Sequence, residues 1–337
     1  MRVLVTGAAG FIGSQFVRAM LEGDYAGHEG AAVTVLDSLT YAGNRANLPA
    51  DHPRLTFVQG DVRDAGLLGD LVPGHDAVVH LAAESHVDRS LQKPAEFVDT
   101  NVGGTQVLLE ACVRGGVERV VHVSTDEVYG SIETGSSSEE WPLVPSSPYA
   151  ASKAGSDLIA LAYWRTHGLD VSVTRCSNNY GPYQHVEKLI PLFITRLLRG
   201  EPVPLYGDGR NVREWIHVED HCRALHLVLT GGRAGEVYNI GGGTPVSNLG
   251  ITRRLLDLCE ADPALVQHVE DRKGHDLRYA IDGTKLEKEL GFEPVISFEK
   301  GLADMVAWYR ENTRWWEPVK ALADLYPGQD LVPSQAG

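Results

Sequence analysis

The stretch "VLVTGAAGFIG", residues 3–13, decides the fold. A β-favouring run ends at Gly7, and Gly7, Gly10 and Gly13 then fall in a GxxGxxG spacing before a segment of helical periodicity. Glycine permits the tight turn, lets the backbone approach a pyrophosphate, and allows a helix to pack closely on a strand. The amino end of that helix adds partial positive charge for phosphate oxygens. Three glycines alone are a weak signal, since any strand-to-helix turn uses them; the strand before and the helix after give them weight.

Outward from this turn the alternation repeats. "RVLVT" (2–6), "AVTVLD" (32–37), "LTFVQG" (55–60), "AVVHLAA" (77–83), "RVVHVST" (119–125) and "DVSVTR" (170–175) read as strands. They are continuous apolar runs, as expected where both sheet faces are covered. Helical patterns lie between them, at about 11–22, 63–71, 95–115 and 149–167. The expected fold is α/β: a Rossmann-like, doubly wound parallel sheet.

After about residue 178 the texture changes, with Pro182, Pro191, Pro202, Pro204 and "YGDGR" cutting the chain into shorter pieces. "EWIHVEDHCRALHLVLT" reads as a strand and helix, and "EVYNIGGG" as another strand. The expected division is a dinucleotide domain over 1–178 with returning segments near 211–240. A smaller mixed α/β lobe for substrate covers 179–210 and 241–326, and a flexible tail covers 327–337. No internal repeat or low-complexity tract is visible.

The 337 residues carry a formal charge of −15, which argues against a nucleic-acid-binding surface while leaving room for a small anion held by a few local cations. Cys112, Cys176, Cys222 and Cys259 stand far apart, with no metal-ligand or disulfide spacing. "MRVLVTG" has no signal-peptide pattern and no apolar run reaches spanning length, so a cytoplasmic protein without a membrane segment is expected.

Asp37 closes the second strand. An acid there hydrogen-bonds an adenosine ribose and repels a 2′-phosphate, which favours NAD over NADP. A turn or cap aspartate is the plainer alternative, and the glycines weigh against it. Asp61 and Val62 follow the third strand, placed to meet adenine.

Two further patterns carry chemistry. Tyr149 and Lys153 in "SPYAASKAG" are spaced to share one helical face. A phenol with an ordinary pKa of about 10 needs help to act as a base, and a nearby ammonium gives it. In "VVHVSTDEVYG" (120–130) a buried-looking strand runs into Asp126 and Glu127, side by side. Adjacent acids repel, which favours a state with only one of them ionised. An acid–base pair suits such a state, although the sequence does not say which residue is which.

These residues resemble the extended short-chain dehydrogenase/reductases that act on nucleotide sugars. "AAESHVDRS", "STDEVYG", "PYAASKAGSD", "NNYGPYQHVEKLIP" and "YGDGRNVREWIHVEDH" are similar to the dTDP-glucose 4,6-dehydratase family, over residues 1 to about 320. The resemblance implies a tightly bound, recycled NAD, with Thr125, Tyr149 and Lys153 oxidising C4 and with Asp126 as acid and Glu127 as base eliminating water across C5 and C6. It adds Phe11, Ile12, Ser38, Leu39, Thr40, Leu81, Ala82, Ala83, Ser85, Thr100 and Asn179 to the NAD site. For the nucleotide-diphosphate sugar it implies Ser85, His86, Thr125, Asn178, Glu187, Lys188 and Leu189. Pro204, Leu205, Tyr206, Arg213, Asn248, Arg272 and His275 complete that set, and no metal is implied. Val186 stands where the family often has proline, and Ala8 where glycine is common; both replacements are small and uncharged.

The resemblance also implies a homodimer. The nearest rival is a nucleotide-sugar 4-epimerase, which would leave Asp126 and Glu127 without a purpose. A dehydratase of UDP- or CDP-glucose differs only in the base pocket. An NAD-sensing module or a scaffold is disfavoured because every catalytic position is filled.

Overall fold

The computed structural model describes residues 1–271 and 274–325, so Arg272 and the tail expected over 327–337 lie outside the described residues. The chain begins with β1 (Arg2–Thr6), α1 (Phe11–Glu22), β2 (Ala32–Asp37), β3 (Leu55–Gln59), α2 (Ala65–Leu71) and β4 (Ala77–His80). Short helices α3 (Val87–Gln92) and α4 (Pro94–Phe97) lead through a π turn (Val98–Gly104) into α5 (Thr105–Gly115). Next come β5 (Arg119–Thr125), a 3₁₀ turn (Asp126–Tyr129), α6 (Pro148–His167) and β6 (Val171–Cys176).

The later half supplies β7 (Asn178–Tyr180), α7 (Leu189–Leu197), β8 (Val203–Tyr206), β9 (Val212–His217), α8 (Val218–Gly231) and β10 (Val237–Ile240). It ends with β11 (Thr244–Ser247), α9 (Asn248–Cys259), β12 (Val266–Val269), α10 (Thr284–Leu290), α11 (Phe298–Glu311) and α12 (Thr313–Leu325).

The main sheet has the order β10-β6-β5-β4-β1-β2-β3, and its pairs are parallel. A parallel sheet is covered on both faces, and the side chains show it. Val3, Val5, Val33, Val35, Val79 and Val121 point into one core with α1 and α8, while Leu4, Leu36, Val78, Val120 and Val171 point into the other with α5 and α6. Period-two alternation therefore divides two apolar sets rather than apolar from polar. Leu4 and Val78 are fully buried, and Leu4→Ala would cost about 2–5 kcal/mol.

Smaller sheets, β11-β9-β7 and β12-β8, belong to the later half, and a third core joins α7, α9 and α11 around Phe193, Trp215, Leu255 and Met305. The segment 214–230 forms the strand and helix read from the sequence; β9 enters the three-stranded sheet, and β10 pairs with β6 in the main one.

Two sequence-based bounds shift. β4 stops at His80; Leu81 N–H makes the last ladder bond, to the Thr6 carbonyl (3.1 Å), and the chain then leaves the sheet. The helix expected over 95–115 is interrupted by the π turn. There the buried Asn101 spends its side chain on tertiary bonds, donating to the Glu84 carbonyl (3.0 Å) and Ser152 Oγ (2.8 Å) and accepting from Glu84 N–H (2.8 Å). Such π turns recur at functional sites, and this one carries Thr100 to a cleft.

The cleft opens at the carboxyl ends of the strands, where β1 pairs with β2 on one side and β4 on the other. Ligands of open α/β sheets bind at this switch point.

Candidate active site

The cleft measures about 310 Å³. Gly7, Gly10, Phe11, Ile12 and Gly13 form one wall. Gly7 has φ +70°, and a Cβ there would stand 2.5 Å from the Ala82 nitrogen. A Cβ on Gly13 would stand 2.6 Å from the Ala8 Cα, so only glycine lets α1 start this close to β1. No side chain caps the first turn of α1. A cradle with uncapped helix amides fits a dinucleotide pyrophosphate.

Asp37, Ser38 and Thr40 follow along the wall. Asp37 is buried and accepts two backbone N–H bonds, from Ala9 and Leu39, both 2.8 Å. Burial lifts its carboxyl above the ordinary range while the two amides pull it back. Its job is thus partly local: it shapes the loop that follows β2. Leu39 does not line the cleft; it is buried at φ 55°, and its amide is tied back to Asp37. Asp61 and Val62 do line it, with Asp61 held below the usual carboxylate range by the Arg63 guanidinium at 2.6 Å. Leu81, Ala82, Ala83, Ser85, Thr100 and Asn179 complete the expected set around the cleft.

Thr125 ends β5 and caps the 3₁₀ turn that carries both acids; its Oγ1 accepts from Glu127 N–H and donates to Asp126 Oδ1, both 3.3 Å. Asp126 is 3% exposed, and its Oδ2 is buried without a hydrogen-bond partner. Burial first, then the like charges of Glu127 and Glu214, push its carboxyl well above the usual range, with Arg213 opposing. Both influences favour the protonated form of Asp126. Glu127 is less buried.

Tyr149 and Lys153 come from α6, whose start is fixed by Pro148 and by Ser147 Oγ accepting from Ala150 N–H (3.1 Å). Burial, then Glu127, raises the Tyr149 phenol far above its ordinary value, and the Thr125 hydroxyl works the other way. Lys153 is lowered to about 8 by burial, and its Nζ donates to the Val123 carbonyl (2.8 Å) rather than to the phenol.

Of the residues expected for a sugar nucleotide, Ser85, Thr125, Asn178 and Lys188 line the cleft, Lys188 Nζ donating to the Ser85 carbonyl (2.8 Å). Asn178 keeps a buried Oδ1 without a partner. His86 and Glu187 sit just behind, 3.9 Å apart, with Glu187 also bound by Arg89 (2.9 Å); Leu189 opens α7. Burial lowers His86 to about 3, so it is neutral at working pH. Pro204, Leu205, Tyr206, Arg213, Asn248 and His275 lie outside the cleft lining, grouped on β8, β9, α9 and the following loop. Arg213 donates to the Asp276 carbonyl, next to His275 (2.9 Å), Asn248 N–H to the Asn211 carbonyl (2.9 Å), and the Tyr206 and His275 rings meet edge-on at 6.1 Å. Arg213 acts on Asp126, so this group adjoins the acids.

Sequence reasoning missed Tyr41, Gln184 and His185 on the cleft wall. Tyr41 lies under the Arg89 guanidinium, 3.8 Å from carbon to ring centre. Its only sequence signal was its place just past "LDSLT".

A family profile described as GDP-mannose 4,6 dehydratase matches residues 4–305. The dTDP-glucose 4,6-dehydratase of Streptomyces niveus is 59% identical over 95% of this chain and 96% of its own length. The solved structure of DesIV, a dTDP-glucose 4,6-dehydratase from Streptomyces venezuelae with NAD bound, is 65% identical with a TM-score of 0.94, covering 95% of this chain and 100% of that one. The corresponding Bacillus anthracis enzyme in complex with NAD is 47% identical with a TM-score of 0.87, covering 95% and 99%.

Proposed function

The chain belongs to the GDP-mannose 4,6 dehydratase family, and we infer that it catalyses the NAD-dependent dehydration of dTDP-glucose to dTDP-4-keto-6-deoxyglucose. One observation carries this reading: Asp126 and Glu127 share a single cleft with Tyr149, Lys153 and the glycine turn.

The C5 hydrogen of glucose is not acidic, so the C6 hydroxyl cannot leave directly. A ketone at C4 changes that. Bound NAD supplies the hydride acceptor for C4 and the hydride donor for C6, ending each turnover as it began. Tyr149 takes the proton of the C4 hydroxyl, with Thr125 hydrogen-bonding the oxygen and Lys153 adding positive charge to the same wall. Glu127, the more exposed acid, removes the C5 proton. Asp126, held protonated by burial and by its acidic neighbours, gives a proton to the C6 oxygen as the C–O bond breaks and water departs. Glu127 then returns its proton to C5, and the proton Tyr149 took from C4 is released as Asp126 takes one back, so every group ends the turnover as it began.

Gly7, Gly10, Gly13, Asp37 and Asp61 would hold the dinucleotide. Asn178, Lys188 and Arg213 would meet the diphosphate and sugar. A 4-epimerase needs no acid–base pair at C5 and C6, so a protonated buried Asp126 favours the dehydratase. UDP- and CDP-glucose are the competing substrates, because base choice depends on the pocket around the thymine methyl.

The proposal extends to two lobes, a dinucleotide half and a sugar-nucleotide half, and to a homodimer in the cytoplasm. Val98 and Leu158 are 52% and 58% exposed on the layer where the π turn packs on α6, which favours a subunit contact there. No helix of the described residues is long and apolar enough to cross a membrane.

The test is to incubate purified protein with dTDP-glucose, without added NAD, and to follow the alkali-induced absorbance of a 4-keto-6-deoxy sugar, with UDP-glucose and a Glu127→Gln variant in parallel. Product from dTDP-glucose alone, absent in the variant, supports the reading. A 4-epimer, or no product even with NAD added, would overturn it.

A further inference from the structure

Behind the cleft, and lining none of it, lies a buried polar chain that the chemistry above does not use. Asp157 is one helical turn past Lys153 on α6 and fully buried. Its Oδ2 accepts from Arg175 Nε (2.9 Å); Arg175 NH1 donates to the Tyr129 hydroxyl (2.9 Å), which donates to Asn239 Oδ1 (2.8 Å). Asn239 in turn donates to the Ser137 and Asp282 carbonyls (2.9 and 3.2 Å). Each of the four residues is 3% exposed or less.

The two ends of this chain are the two halves of the active site. Tyr129 is the last residue of the 3₁₀ turn that begins with Asp126 and Glu127. Asp157 shares the helix, and by its spacing the face, of Tyr149 and Lys153. Arg175 stands between them on β6, paired with Ser124 one residue before the end of β5. Burying a charge pair is a poor way to gain stability, because an apolar filling of similar volume does as well or better. What the guanidinium offers is geometry: a rigid fork that holds two partners at a fixed angle, which an ammonium on a flexible stem does not.

We infer that Arg175 is a positioning residue that sets the Asp126–Glu127 turn in register with the Tyr149–Lys153 helix through Tyr129 and Asp157. This rests on the dehydratase reading and deepens it. Oxidation at C4 uses α6 and the dinucleotide cleft, whereas elimination also needs the acids at the right height over C5 and C6. Loosening the link therefore slows elimination selectively.

The test uses full-length, NAD-loaded protein as wild type, Tyr129→Phe and Arg175→Lys. Tyr129→Phe keeps the packed ring and removes only the hydroxyl. Arg175→Lys keeps a charge opposite Asp157 but does not span both partners. Arg175→Met is avoided, because it leaves the buried Asp157 without its guanidinium and with only His122, 3.4 Å away, as a partner. Thermal midpoints and bound NAD are measured first. Single turnovers of dTDP-glucose are then followed at 340 nm, where the rise reports C4 oxidation and the decay reports elimination with hydride return.

Both variants should rise at the wild-type rate and decay up to about 100-fold more slowly, the scale of a misplaced catalytic group, and a C5-deuterated substrate should slow that decay further. Equal slowing of rise and decay, no change in either, or a defect in Tyr129→Phe that Arg175→Lys lacks would overturn the proposal while wild-type turnover stands. A wild type that forms no 4-keto-6-deoxy product would instead bring down the dehydratase reading, and this inference with it.

Discussion

Lys153 donates to the Val123 carbonyl at 2.8 Å, two residues before Thr125, and makes no hydrogen bond to Tyr149 one turn away on its own helix. The ammonium is pinned to β5, just before the turn that carries Asp126 and Glu127. In the protein alone, burial and Glu127 hold the phenol in its protonated form. A base role for Tyr149 would therefore need positive charge that a bound dinucleotide would bring to the cleft.

Lys153→Met is expected to lower turnover about 100-fold or more, the usual scale for losing a group that tunes an acid or base. Its stability effect has a definite sign. With the native ammonium lowered to about 8 and an unfolded value near 10.4, the unfolded chain binds the extra proton between those values. Wild-type stability therefore rises with pH across that window relative to Lys153→Met. Thermal melts of both proteins at pH 7.5 and 10 check the slope.

Asp126 runs in the opposite sense. Its native carboxyl is raised, so above about pH 4 the native state holds a proton that the unfolded state has lost, and stability falls as pH rises. Asp126→Asn should thus gain stability over wild type as pH rises from 4 to 7. That advantage should vanish near pH 4, while product formation drops about 100-fold or more. Denaturant melts at the two pH values and the product assay measure both.

Gly7→Ala puts a Cβ 2.5 Å from the Ala82 nitrogen at φ +70°. Backbone blocks backbone there, and about 1–3 kcal/mol of strain is expected. Purified Gly7→Ala should melt several degrees lower and carry little NAD, read from its absorbance after denaturation.

Asp37→Ala removes the acceptor of two 2.8 Å amide bonds from Ala9 and Leu39. Leaving those amides without the carboxylate costs about 1–3 kcal/mol, and the ribose loses its acid. NAD affinity of reconstituted apoprotein should fall about tenfold or more, with the preference over NADP reduced. Titration with each dinucleotide measures this.

Much of this was legible in the chain. Continuous apolar runs such as "RVLVT" mark strands buried on both faces, and their valines and leucines lie in two cores. Gly7 and Gly13 could be read because the turn leaves no space for a side chain, at Gly7 against the chain just past β4 and at Gly13 against Ala8. Tyr149 and Lys153 could be read because helical spacing is local.

What escaped was long-range. Lys153's partner, Val123, is 30 residues away, and Arg175 is 18 from Asp157 and 46 from Tyr129. The π turn depends on where Asn101 finds Glu84 and Ser152. The difference between the two neighbouring acids depends on burial and on Glu214 and Arg213, far along the chain. No local pattern encodes these.

The central claim is that one dinucleotide takes hydride from C4 and returns it to C6 while Glu127 exchanges the C5 proton. The most direct measurement is turnover of C4-deuterated dTDP-glucose in ordinary water, and of unlabelled substrate in D₂O, with the label positions in the product read by NMR. The account predicts that the C4 deuterium appears at C6 within the same molecule, and that one solvent deuterium enters at C5. Deuterium retained at C4 of an epimer, or lost to solvent, would contradict it.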